Sequence, residues 1–263
     1  MKSPADIIND VSVSMQKRIF MPFTSIVMLS IMAGGAIAMG DIFWAHSIIG
    51  VGENLAIGLS NFMGGLAFSC GLMMTVFFGG HLFTGAVLSG VSSCDKRVSW
   101  SRGLWYWVVV WIGNFVGSIL IAYIYFYSQL PMKFDSYLLY KFVSLGIDKT
   151  TTEFLPLFLR GIFCNIFVCM AVWSAYGASD TAGKFFSILW MVAAFVACGM
   201  EHCVANMFII TEALLAKSYL AIQNDSLNLV GFLVKNLLPV TLGNVVGGFC
   251  FIAMVGYYSH KTK

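Results

Sequence analysis

The sequence predicts an all-α integral membrane protein of six transmembrane helices, arranged as an inverted 3+3 repeat with broken second and fifth helices. Three observations carry this. Hydrophobic residues make up 59% of the 263 and charged residues 10%, against the roughly 25% charged of soluble domains. Six apolar stretches, near 20–40, 55–92, 102–128, 156–178, 184–217 and 230–258, each approach or exceed the ~20 residues a membrane helix needs. The hexapeptide Gly-Asn-Phe-Val-Gly-Ser at 113–118 returns as Gly-Asn-Val-Val-Gly-Gly at 243–248, half a chain later.

Taken in order, residues 1–19 form an amphipathic interfacial helix. Ser3 is placed to cap it, Pro4 suits its first position, and Ile7, Val11, Met15 and Ile19 recur every four residues as one apolar stripe. Residues 20–258 form the six-helix transmembrane domain and residues 259–263 a short tail. An even number of crossings puts both termini on one side. Lys2, Lys17, Arg18, Lys96, Arg97, Arg102, Lys184, Lys261 and Lys263 fall on the terminal side, against Lys133, Lys141, Lys149, Lys217 and Lys235 opposite. That bias places both termini in the cytoplasm of a multi-pass cell-membrane protein, in contact with the lipid bilayer throughout.

The second and fifth stretches are too long for simple spans and are interrupted. The first interruption is Gly79–Gly85, with His81 and Thr84; the second is Gly199–Ala205, with Glu201 and His202. Each half thus reads as an opening helix, a broken helix, and a helix carrying Gly-Asn-x-x-Gly. Three is odd, so the halves run in opposite senses. Broken helices at corresponding positions of an inverted repeat point to a binding site or pore at the repeat interface, because non-helical backbone at membrane depth persists only where protein or a cavity surrounds it.

The chemistry at these breaks is that of ion passage. An imidazole or carboxylate in hydrocarbon is costly and by default marks a pathway. Thr84 and His202 are expected to hydrogen-bond across the interface, fixing one imidazole nitrogen and leaving the other to face the pathway. Phe68, Leu72, Leu82, Phe83 and Phe195 supply apolar constrictions around that polar centre. A bare anion pays heavily to enter such a constriction, and its neutral protonated form much less. Lys149, just before the fourth stretch, is placed to draw anions in. Asn114, Asn165, Asn244 and Arg160 are further polar groups within the spans, and the asparagines suit freed backbone groups at the breaks.

Four separated motifs then carry a resemblance: Leu-Phe-Thr-Gly at 82–85, the run at 163–173 beginning Phe-Cys-Asn, Gly-Met-Glu-His-Cys-Val-Ala-Asn-Met-Phe at 199–208, and Leu-Pro-Val-Thr-Leu-Gly-Asn-Val-Val-Gly-Gly at 238–248. Over roughly residues 3–258 the chain resembles the formate/nitrite transporter family. The resemblance implies an aquaporin-like protomer, assembled as a homopentamer in the cell inner membrane, with a pore in each protomer for small monovalent anions such as formate, nitrite or hydrosulfide, passed either passively or together with protons. It implies His202 and Thr84 at the pore centre, and Lys149 as the vestibule cation. Phe68, Leu72, Leu82, Phe83, Val168 and Phe195 would form the slits, with Asn165, Glu201 and Asn206 in support. One position departs: the family usually has Glu or Asp before Leu-Phe-Thr, and here it is His81. Gly85 and the Phe-Cys-Asn at 163–165 look more like nitrite and hydrosulfide members than formate members.

Other classes fit less well. Net charge is +3 with no basic patch, so nucleic acid is not an expected partner. The seven cysteines have no framework spacing and are read as free thiols. No cofactor, metal or enzymatic activity is called for. His81 and His202, read as occupying corresponding positions in the repeat, could in principle ligate one haem as an electron carrier. Their glycine-containing breaks argue against that. A membrane receptor lacks a soluble domain to sense or signal, since the longest polar loop is about 129–155.

Overall fold

The computed structural model describes residues 1–51 and 57–261. The expected start of the second stretch at 55 and the last two residues of the tail lie outside the described residues. What is described is helical throughout, joined by short turns.

Helix α1 (Pro4–Ile19) starts as its sequence dictates. Ser3 Oγ accepts from the Asp6 N–H, Pro4 occupies the first turn, and the stripe Ile7, Val11, Met15, Ile19 is buried. It packs along the helices Phe83–Cys94, Phe154–Gly177 and Gly231–His260 of the bundle. The rest runs α2 (Phe23–Ser47), α3 (Ile57–Phe78), α4 (Phe83–Cys94), α5 (Trp100–Tyr127), α6 (Tyr137–Thr151), α7 (Phe154–Gly177), α8 (Thr181–Ala197), α9 (Cys203–Tyr219) and α10 (Gly231–His260). Five of these, α2, α3, α5, α7 and α10, are long and apolar enough to cross a membrane; α4 and α8 are shorter apolar helices. Met28, Val108, Ile124, Phe163, Trp190 and Val255 are exposed. Large apolar side chains turned outward while Asn114, Asn165, Glu201 and Asn244 are buried describe a bundle solvated by lipid.

Two boundaries differ from expectation. α2 continues to Ser47, where the apolar stretch ends near 40, because helical hydrogen bonding carries past Asp41 and buries it. The 129–155 loop contains α6, whose Leu138, Leu139, Phe142 and Val143 are buried and pack on α9. Its apolar face is one-sided, so it does not show as an apolar run.

α2 packs on α5 and α3, and α7 packs on α10 and α8. Both pairs come together at glycine. A Cβ at Gly117 would strike the Ile31 carbonyl of α2, and one at Gly247 the Ile162 carbonyl of α7. The half-helices cross over. α4 packs on α7 and α10, while α9 packs on α2 and α5. α10 is wound more loosely at Gly231–Leu237 and Val246–Met254, with i→i+5 turns on either side of Pro239, whose ring nitrogen cannot donate to the helix ladder.

Candidate functional site

The two helix breaks are built from the same backbone bonds. Gly79, at φ +81°, ends α3, and Gly199, at φ +68°, ends the α8 turn; only glycine takes this conformation without strain. The Gly79 N–H donates to the Val76 carbonyl and the Gly80 N–H to the Thr75 carbonyl. Gly199 donates to Val196 and Met200 to Phe195 in the same way. The next residue reaches out of its own helix: His81 N–H to the Leu29 carbonyl of α2, and Glu201 N–H to the Arg160 carbonyl of α7.

An asparagine then locks each restart. Asn114 Oδ1 accepts from the Phe83 N–H at 2.8 Å, and its Nδ2 donates to the carbonyls of His81 and Ser30. Asn244 Oδ1 accepts from the Cys203 N–H at 2.9 Å, and its Nδ2 donates to the carbonyls of Glu201 and Gly161. These are the asparagines of the repeated Gly-Asn-x-x-Gly. The matching bonds put His81 opposite Glu201 and Leu82 opposite His202. The two histidines therefore do not occupy equivalent positions, contrary to their reading as a corresponding pair.

His202 caps α9. Its Nδ1 accepts from the Ala205 N–H at 3.1 Å, and its Nε2 lies 3.0 Å from Thr84 Oγ1. A neutral imidazole has one donor and one acceptor nitrogen. With Nδ1 accepting, Nε2 carries the hydrogen and donates to Thr84. The sequence reading has the second nitrogen facing the pathway; instead it holds the helix start. The Thr84 backbone carbonyl accepts from Asn165 Nδ2 at 3.1 Å and from Cys169 Sγ, and Asn165 Nδ2 also donates to the Asn244 carbonyl. Asn165 thus ties the two breaks together. With both His202 nitrogens engaged, the geometry offers no haem-iron ligand at this residue.

Aromatic and aliphatic side chains enclose this centre. The Phe195 ring stacks on the His202 ring with centroids 6.0 Å apart, and Phe68 meets Phe195 edge-on at 5.9 Å. Two cavities open on either side. The α6-side cavity, about 470 Å³, is bordered by Phe68, Phe195, His202, Glu201, Asn206 and Lys149. The α1-side cavity, about 230 Å³, is bordered by Leu72, Leu82, Arg18 and Lys184. Phe68 and Leu72 are one turn apart on α3, about 6 Å along the axis. Phe83 and Val168 are buried and border neither cavity.

Lys149 lies in the last turn of α6, with Nζ 2.8 and 2.9 Å from the two Glu201 carboxylate oxygens. Glu201 also accepts from Asn206 Nδ2 at 2.6 Å. Asn206 donates to Asn236 Oδ1, and Asn236 Nδ2 donates to the Lys149 carbonyl, closing a ring across α6, α9 and α10. Half-buried Lys149 and buried Glu201 are thus an ion pair rather than a free cation with a separate support. His81 is buried, with its ring edge-on to Tyr106 at 5.6 Å and its Nδ1 without a partner among the described residues.

Sequence reading missed Asn236 and Asp41. Asn236 sits in an otherwise apolar stretch, the signal that marked Asn165. Asp41 lay past the apparent end of a span, and it borders the α6-side cavity. Arg18 and Lys184, which border the α1-side cavity, enter the sequence pattern only as topology signals.

A family model described as Formate/nitrite transporter matches residues 5–258. The chain is 34% identical to the formate channel FocA of Haemophilus influenzae, over 97% of this chain and 92% of that protein. It is 34% identical to the nitrite transporter NirC of Salmonella typhimurium, over 89% and 82%. A solved pentameric formate channel with formate bound superposes with a TM-score of 0.81 at 33% identity, covering 90% of this chain and 97% of that one. These matches, spread over the whole bundle that carries the breaks, make the chain a member of the formate/nitrite transporter family.

Proposed function

We propose that each protomer conducts small monovalent anions, formate, nitrite or hydrosulfide, through a pathway joining the two cavities, passively or with a proton. The observation that carries this is the His202–Thr84 hydrogen bond at 3.0 Å, a polar centre held between the apolar pairs Phe68 with Phe195 and Leu72 with Leu82. The supporting architecture is six crossings in an inverted 3+3 repeat. The matching backbone bonds of the two breaks and the reciprocal packing of α4 and α9 support that reading. By likeness to the pentameric formate channel, the assembly is a homopentamer with one pore per protomer. The lysine and arginine bias puts both termini in the cytoplasm.

The tautomer assigns the donors. His202 Nε2–H is spent on Thr84 Oγ1, so the Thr84 hydroxyl hydrogen is the one offered to an anion at the centre. Lys149 stands beside the entry with its charge balanced by Glu201. It acts on an approaching anion as one end of an ion-pair dipole. A hydrated anion sheds water at Phe68 and Phe195, and a proton picked up there lowers the cost of crossing. Phe83, Val168, Asn165 and Asn206 shape and brace this passage.

The test is flux in proteoliposomes of the purified full chain, with formate, nitrite and hydrosulfide driven down a gradient at several pH values. Uptake of at least one, well above protein-free liposomes, is the expected result. No uptake of any of the three at any pH removes the proposal.

A further inference from the structure

We infer that the α1-side cavity holds an anion-binding site centred on Arg18, with Lys184 as second cation, and that the α6-side cavity has no equivalent. The inference rests on the anion-pore reading and adds a sided binding site to it.

The two cavities differ in charge. Arg18 and Lys184 border the α1-side cavity with no carboxylate among its bordering residues. The α6-side cavity has Lys149 and Arg160 but also Asp41, Asp148 and Glu201. The cause lies in the equivalence of the breaks. Glu201 N–H reaches the helix behind it and the Glu201 side chain neutralises Lys149. At the matching position His81 makes the same backbone bond but brings no carboxylate. The cation at that break is Arg18, whose Nη1 donates to the carbonyl of the adjacent Gly80 at 3.0 Å. Neither Arg18 nor Lys184 takes part in an ion pair among the described residues.

Arg18 has five N–H donors in a planar fork. One is used on Gly80, and the side chain is half-buried, where its charge is screened less than at an open surface. Tyr176 donates to Ser14 Oγ at 2.8 Å across this cavity, from α7 to α1, which leaves the Ser14 hydroxyl hydrogen for a ligand. The volume, about 230 Å³, is that of about eight waters. It suits a small anion that keeps part of its hydration shell just outside Leu72 and Leu82. An anion held there waits at one mouth of the pathway only.

Two measurements test this. In right-side-out and inside-out membrane vesicles, formate entry from the α1 face is expected to half-saturate at a concentration at least threefold lower than from the α6 face. Arg18→Gln removes that difference and Arg18→Lys keeps most of it. His81→Glu supplies the missing carboxylate and acts like Arg18→Gln with Arg18 intact. Lys184→Gln, which breaks no hydrogen bond to the Gly80 turn, gives a smaller shift in the same direction. The second measurement is independent of transport: line broadening of 13C-formate by the purified protein, expected to fall at least threefold in Arg18→Gln. Flux without any dependence of half-saturation or binding on Arg18 overturns the site and leaves the pore reading standing. Arg18-dependent binding without flux supports the site and removes the pore reading.

Discussion

His202 does two jobs with one ring, and the two can be separated. Nδ1 caps α9 and Nε2–H holds Thr84. Asparagine is a good helix cap and leaves no imidazole proton. His202→Asn is therefore expected to fold within about 0.5 kcal/mol of the parent, while His202→Ala loses the cap at a cost of about 1 kcal/mol. In liposomes the Asn variant should pass bare anions more freely and with a flatter pH response. Equal pH profiles for parent and Asn variant would mean that the ring is only a cap. The Lys149–Glu201 pair gives a second test. Its side chains are 12% and 5% exposed, so Lys149→Met strands a buried carboxylate and is expected to cost about 3–5 kcal/mol. Adding Glu201→Gln should recover most of that, because the amide can still meet Asn206. A double variant as unstable as Lys149→Met would show that the pair is not coupled. Glu201, His202 and Thr84 were legible in the sequence because polar groups inside apolar runs are rare and costly. The His202 tautomer was not. It depends on α9 beginning at Cys203, and a stretch of Gly, Met, Glu, His, Cys could restart a helix at several places.

The breaks are held from outside by asparagine rather than by their own residues. Asn114 and Asn244 each make three buried hydrogen bonds, one accepted and two donated. Replacing either by alanine leaves a half-helix N–H and the carbonyl of His81 or Glu201 unpaired in the bundle, and takes a second bond from the helix carbonyl of Ser30 or Gly161. At about 1 kcal/mol or more for each group, both variants are expected to lose about 3 kcal/mol and to lower the thermal midpoint similarly. Aspartate at either site keeps only the accepting bond, so it should not rescue. A large loss at one asparagine and none at the other would contradict the equivalence of the breaks. The likeness of the two breaks was visible because the asparagine of Gly-Asn-x-x-Gly makes the same bonds in both copies. The register between them was not fully visible, and Asn114 to Asn244 is displaced by ten residues more than Gly79 to Gly199. The connection from α9 to α10 is longer than that from α4 to α5. Counting back from the second motif by the first motif's spacing therefore stops short, at Thr211, and only the backbone bonds pair His81 with Glu201. α6 was missed for a different reason. It is amphipathic and lies against α9, so no uniform apolar run announces it.

Across the whole molecule, α1 joins the bundle to the α1-side cavity through Ser14, Met15 and Arg18, and one carboxylate pins it there. Asp95, in the turn after α4, accepts from Ser12 Oγ of α1 at 2.8 Å, from Arg97 Nε at 2.6 Å and from Lys261 Nζ at 3.1 Å. Partial burial works against the Asp95 charge, but the hydrogen bonds from Arg97, Ser12 and Lys261 outweigh it and hold the carboxyl below the usual range. A native value below the unfolded one means that the carboxylate stabilises this contact above the unfolded value, about pH 4, and that the contribution is lost as pH falls through the lower native value. Hydrogen exchange of the α1 amides is therefore expected to be slow and level from pH 7 to about pH 5 after correction for the intrinsic rate. It should rise as the medium is taken below pH 4. Asp95→Asn removes the charge that Arg97 and Lys261 answer. It should speed α1 exchange at pH 7 by about tenfold, the equivalent of the roughly 1.5 kcal/mol that a hydrogen-bonded charge contributes, and should flatten the rise below pH 4. Because α1 carries Arg18, the same variant should weaken formate entry from the α1 face more than from the other. Exchange in Asp95→Asn that matches the parent at every pH would show that the apolar stripe, Ile7 to Ile19, with the Tyr176–Ser14 and Arg18–Gly80 bonds, seats the helix without Asp95.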